Sequence, residues 1–153
     1  MIYVECKADK TLIEILGVKK EEIWHCGDKG RVINKIIKEK KACGMVDADP
    51  LSPQPKKLKE FEKIKEEYGI ELLVDKKGNK LVILSPCLEE WILKVAERNK
   101  INVKDYNLPR EGNKFHNIVN ANIEKFSKLV KELDTTKEFG VLREIITSYK
   151  LAK

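Results

Sequence analysis

Glu5 directly follows the apolar run Ile2-Tyr3-Val4, and Asp47-Ala48-Asp49 closes the run Ala42-Cys43-Gly44-Met45-Val46. Both runs read as strands. In an open α/β sheet, parallel strands bring their C-terminal ends to one edge, and ligands bind there. Carboxylates gathered in that crevice are the hard oxygen donors that Mg²⁺ or Mn²⁺ takes, and such an ion neutralises phosphate charge. In an extended Asp-x-Asp both side chains point the same way, so Asp47 and Asp49 can share one metal or bridge two. Without a cation or hydrogen bonds, neighbouring carboxylates repel. The pair has a plainer reading, with Asp49 opening an Asx-turn into Pro50 and Asp47 capping the loop. Lys7, two residues beyond Glu5, stands where its ammonium can hold a phosphate oxygen.

A second set of residues surrounds these. Gly27-Asp28-Lys29-Gly30 precedes a helical stretch, so its backbone N–H groups, helped by Lys29 and Arg31, can meet a phosphate. Lacking the full P-loop pattern, the same residues also read as a tight turn. Glu89 sits just inside a helix that starts near Ser85-Pro86, as a metal donor or as an acid favoured by the helix dipole. Trp24 and Trp91 read as core residues, not as platforms for stacked bases. Cys6, Cys26, Cys43 and Cys87 show neither C-x-x-C pairing nor zinc-finger spacing, which points to reduced thiols.

The elements that must carry these groups follow from pattern. Strands are expected at 2–5, 23–26 and 42–47. Between them lie a helix capped by Asp9 and stopped at Gly17, and a second helix with Val32, Ile33, Ile36 and Ile37 on one face. A third helix is expected over 56–68, with Leu58, Phe61, Ile64 and Tyr68 as its buried stripe. Ile70–Val74 and Leu81–Leu84 read as a hairpin across Asp75-Lys76-Lys77-Gly78-Asn79. The rest reads as helical: one helix capped at Ser85 with Pro86 next, then helices over 117–133 and 138–150, with Tyr106–Gly112 as a loop. Alternating β-α-β-α-β implies a mostly parallel central sheet with helices on both faces. Residues 1–90 form this α/β core and 91–153 a helical extension packed on it.

The 153-residue chain is long enough for one real core, and its 42% hydrophobic and 37% charged residues describe a charged globular protein. It contains no apolar run of membrane-spanning length and its start has no signal-peptide pattern, so the expected compartment is the cytoplasm. A formal charge of +6 is compatible with a nucleic-acid or nucleotide partner. The excess is mostly lysine, which also merely solvates helix faces.

Val4-Glu5-Cys6-Lys7-Ala8-Asp9, Gly27-Asp28-Lys29-Gly30 and Val46-Asp47-Ala48-Asp49, in that order, resemble the motifs of the Toprim domain. This is the Mg²⁺-dependent fold shared by topoisomerases, DnaG-type primases, OLD-family nucleases and small ribosomal-RNA maturases. The likeness covers roughly the first 85–90 residues. It implies that Glu5 acts as general acid or base and that Asp47 and Asp49 bind Mg²⁺. Cys6 stands where the family usually has glycine, and Leu51 where many members carry a third acid. Ser85-Pro86-Cys87-Leu88-Glu89-Glu90-Trp91 is similar to a segment of RloB-type Toprim-like proteins, and by that likeness Glu89 supplies the missing carboxylate. The resemblance implies a Mg²⁺-dependent phosphodiester-processing enzyme, a nuclease on DNA or RNA. A second reading is a non-catalytic module that binds metal and nucleic acid, its C-terminal helices serving as a docking or dimer surface. A third, a phosphotransfer fold, ranks last because its Asp-x-Asp belongs on the first strand.

Overall fold

The computed structural model describes residues 1–110 and 112–151. Six strands form one sheet: β1 (Ile2–Val4), β2 (Ile23–His25), β3 (Cys43–Asp47), β4 (Glu62–Glu67), β5 (Ile70–Val74) and β6 (Lys80–Leu84). The order across the sheet is β2-β1-β3-β6-β5-β4. Pairing is parallel from β2 through β6, whereas β5 runs antiparallel to both its neighbours. All but β5 therefore point the same way, and the expected α/β sheet is mostly parallel.

Side-chain alternation divides the core in two. Ile2, Val4, Met45, Val82 and Leu84 face one side, with α1 (Lys7–Ile15) and the C-terminal helices. Tyr3, Val46, Leu81 and Ile83 face the other, with α2 (Lys29–Ile36). Gly44 lets α2 come close, because a Cβ there would lie 2.8 Å from Val32 Cγ1. The chain leaves β1 for β2 on one side and returns as β3 on the other. With α1 and α2 on opposite faces, the gap between the ends of β1 and β3 is a topological switch point, where such sheets bind ligands.

The helical half shares the first core. It comprises α3 (Leu88–Arg98), α4 (Gly112–Ala121), α5 (Ile123–Leu133) and α6 (Lys137–Leu151). Trp91 stacks on Phe139 with ring centroids 5.5 Å apart, joining α3 to α6. Phe126, Leu129, Val130, Leu142, Ile145 and Ile146 are buried in that core, and Ile118 and Ile123 pack partly buried against it. The apolar residues expected to form a docking surface are thus largely used inside the chain.

Several expected elements are corrected. Residues 56–68 are not a helix but a 3-10 turn (Lys56–Glu60) followed by strand β4. The i,i+3 spacing of Leu58, Phe61 and Ile64 imitates a helix. Tyr68 and Gly69, with φ of 52° and 75°, instead turn the chain straight back into β5 as a two-residue hairpin. Ile64 falls at a register shift and is 60% exposed, so β4 is a bulged, charged edge strand. The expected 117–133 helix is two helices, because Asn122 caps α5 by accepting the Lys125 N–H at 3.3 Å. Helix α3 is capped at Cys87, not at Ser85, since the backbone stays extended to φ −160° and ψ 169° at Cys87. Trp24 is 52% exposed on the edge strand β2, whereas Trp91 is buried. Within the loop expected at 106–112, Tyr106 ends a 3-10 turn and Gly112 opens α4, while Glu111 lies outside the described residues, as do residues 152 and 153. No helix among the described residues is long and apolar enough to cross a membrane.

Candidate functional site

Glu5 leaves the end of β1 pointing at β3, where its Oε2 accepts the Asp47 backbone N–H at 2.7 Å. Asp47, the last residue of β3, reaches onward: its Oδ1 accepts the Leu88 N–H at 2.8 Å. That N–H is one of the unsatisfied donors in the first turn of α3. One chain of hydrogen bonds therefore links β1, β3 and the start of α3 across the switch point. Glu89, the next residue of α3, is 5% exposed and brings a further carboxylate to this end of the sheet.

Asp9 belongs to the same group. It is not the N-cap of α1 but its third residue, and Cys6 is the cap. The Asp9 Oδ2 accepts the Glu5 N–H at 3.2 Å, the Cys6 N–H at 3.1 Å and the Cys6 thiol at 3.3 Å. The loop after Glu5 thus folds around a buried carboxylate.

Asp49 takes a different path from the one its spacing implies. The extended segment ends at Asp47, and Asp49 has a φ of 43°. Aspartate tolerates this left-handed conformation better than most residues. The Ala48 and Asp49 N–H groups donate to Leu84 and Pro86 carbonyls at 3.0 and 2.9 Å, and the Asp49 carbonyl accepts the Ser52 N–H. Asp47 and Asp49 are therefore not two side chains on one strand face, yet the Asp49 charge still acts on Glu5.

Lys29 is the lysine of this cluster. Its Nζ donates to the Ala48 carbonyl at 2.9 Å and to Gln54 Oε1 at 2.5 Å. Gln54 Nε2 donates in turn to the Ala48, Asp49 and Ser52 carbonyls, which fastens the Pro-rich loop to Lys29. Burial lowers the Lys29 pKa, and the charges of Glu5, Asp49 and Asp47 oppose that shift. Lys7 opens α1 as an exposed residue. Gly27, with φ 104°, donates its N–H to the Glu5 carbonyl at 3.0 Å and so lies beside the cluster. Gly30 is inside α2, and Asp28 caps that helix by accepting the Arg31 N–H at 2.8 Å. Arg31 itself is exposed and pairs with Asp28 at 3.4 Å.

Crowding shows in the acidities. Burial, then the charge of Glu5, pushes Asp9 up to about 7. Burial, then the charges of Asp9 and Glu5, pushes Asp47 up to about 8, while the Leu88 N–H pulls it down. Glu5 is also raised, by burial first, and its bond from the Asp47 N–H opposes the rise. All three carboxyls are raised in the same direction, the kind of shift that suits a carboxyl group for general acid–base chemistry.

Two members were missed from sequence. From sequence Asp9 reads as a helix cap, and its signal as a site residue is that it is a second acid four residues after Glu5. Gln54, the single glutamine of the chain, stands between two prolines, a pattern that marked only a loop. Among the described residues, no group of three or more His, Cys, Asp or Glu side chains is arranged to hold a metal ion. Comparison with protein-family models, with curated proteins and with solved structures gives no match.

Proposed function

We propose that the chain is a Mg²⁺- or Mn²⁺-dependent phosphodiester-processing protein of Toprim type, a nuclease acting on DNA or RNA. The observation that supports this most is the meeting of Glu5, Asp9, Asp47, Asp49 and Glu89 with Lys29 at the switch point. Mg²⁺ keeps several waters and often takes only one or two protein carboxylates beside substrate phosphates. Asp47 and Asp49 leave the strand differently, yet both charges act on Lys29, and two carboxylates brought near each other are a donor set such an ion takes. In this reading Asp47 and Asp49 hold the cation and Glu89 helps from α3. Once bound, the cation neutralises phosphate charge and lowers the pKa of water.

The chain's own groups do the rest. Glu5, raised by burial, is suited to take a proton from an attacking water and return it later. Its bond from the Asp47 N–H fixes where that oxygen points. Lys29, tied to the Ala48 carbonyl and Gln54, offers a positioned charge to a phosphate oxygen.

A non-catalytic module has one observation in its favour: Glu5 Oε2 and Asp47 Oδ1 each already serve a backbone N–H. The readings separate on a panel of single- and double-stranded DNA and RNA, tested with Mg²⁺ and with Mn²⁺. The nuclease reading expects metal-dependent products that disappear in Asp49→Asn. Stable complexes without turnover in any arm would support the module.

A further inference from the structure

Outside the carboxylate cluster, side chains on α2, on the edge strand β2 and just past the end of each form a small cleft of about 170 Å³. Trp24, Arg31, Asn34, Lys35 and Lys38 line it with Cys26, so among the described residues the lining holds three cations and no carboxylate. Trp24 is 52% exposed, and Lys35 Nζ stands 5.5 Å from its ring centroid. A half-exposed indole framed by cations is an unusual use of tryptophan, which is normally well buried. Lys38 also lines a larger cleft of about 670 Å³ that adds Lys57, Lys59, Lys76 and Lys77 against Glu60 and Asp75.

The placement relative to the cluster matters. Trp24 pairs in register with Tyr3, two residues before Glu5, and so lies about 7 Å down the sheet from it. Helix α2 begins at Lys29, beside the carboxylates; Arg31 and Lys35 lie about 3 and 9 Å along it, and Lys38 follows just past its last residue, Ile36.

We propose that this cleft is a track for single-stranded nucleic acid, in which Trp24 stacks one base while Arg31, Lys35 and Lys38 hold the flanking phosphates. Two features select a single strand. A base must be unpaired to present its face to an indole, and stacking with backbone-tracking cations is how proteins grip such strands without reading sequence. The Lys35 ammonium over the ring is a weak, solvent-exposed contact on a flexible stem, which an incoming base displaces toward its own phosphate. Arg31 pairs with the exposed Asp28 in a solvated contact, so it too can turn to a phosphate. The proposal rests on the phosphodiester reading only for what the strand is led toward; binding on the track requires no cation and no turnover.

The test is therefore binding in EDTA at about 0.1 M salt, with labelled oligo-dT, oligo-U and a duplex of equal length. Trp91 is buried, so a change in tryptophan emission on binding reports Trp24. The expected result is quenching by the single strands, a roughly tenfold loss of affinity in Trp24→Ala, and partial recovery in Trp24→Phe. Lys35→Gln and Lys38→Gln are each expected to reduce the salt slope of binding by about 0.7. Comparing oligo-dT with oligo-U assigns the strand to DNA or RNA. Equal affinity of Trp24→Ala and the parent for single strands overturns the proposal. Duplex bound as tightly as single strands with unchanged emission overturns it as well. Tight binding in EDTA with no cleavage in any metal would retain the track and remove the nuclease.

Discussion

Replacing Asp47 by asparagine in metal-free protein isolates what it costs to hold charge in the crevice. The carboxamide keeps an oxygen for the Leu88 N–H, which now donates at 2.8 Å, so the start of α3 keeps its partner. Only the charge is removed. Burial and the charges of Asp9 and Glu5 raise Asp47 from 3.8 to about 8. A carboxyl group with a raised folded pKa binds its proton more tightly in the folded chain than in the unfolded one. Its ionisation therefore costs no stability below about pH 4, and the cost grows as pH rises toward 8. Asp9, held up to about 7, and Glu5, raised in the same direction, add to the slope. One unit corresponds to about 1.4 kcal/mol, and relaxation of the site together with the Lys29 charge leaves about 2–3 kcal/mol for Asp47 at pH 8. For a chain of this size that is a rise in Tm of about 5–10 °C. Thermal unfolding in EDTA should show Asp47→Asn that much more stable than the parent at pH 8, with the two within about 2 °C at pH 4.5. A variant that is less stable at pH 8, or a difference that does not change with pH, refutes the electrostatic account of the cluster.

Two further outcomes concern the frame. Asn79 is fully buried; its Oδ1 accepts the Ala42 N–H, and its Nδ2 donates to the Glu39 carbonyl and to Asp75 Oδ2, each at 2.8 Å. Asn79→Ala leaves those groups without partners and should cost about 2–3 kcal/mol in denaturant unfolding. Phe139→Ala removes the ring stacked on Trp91 and should cost about 3–5 kcal/mol. Far-UV signal and Trp91 emission should still change together, because both halves of the chain share one core; separate transitions would contradict that.

The parts legible in sequence were those with strong local signals. Apolar runs marked β1, β3, β5 and β6, and Gly17 stopped the first helix with a φ of 109°. Because the strands are parallel, their C-terminal acids had to share an edge, so Glu5 and Asp47 were found together. Strand β4 was illegible because every residue in it is exposed and nothing on its surface alternates. Its one clue was Tyr68-Gly69, whose turn conformation a Lys- and Glu-rich run concealed. The Asp-x-Asp spacing puts Asp49 on a straight strand, since spacing carries no trace of its positive φ. Asp9 was hidden by its type, for an aspartate near a helix start is ordinarily a cap. Trp24 looked like core because β2 gives no sign, before the sheet is assembled, that it lies at an edge.

The proposed function requires the carboxylates at the switch point to hold a divalent cation. Mn²⁺ binding at pH 8, followed by loss of the paramagnetic resonance signal of the hydrated ion, tests it without requiring a substrate. The parent is expected to bind, and Asp47→Asn and Asp49→Asn to bind about tenfold more weakly or worse, the equivalent of about 1.4 kcal/mol for one lost ligand. Equal binding by the parent and the Asp47→Asn, Asp49→Asn double variant would show that these carboxylates do not hold the ion.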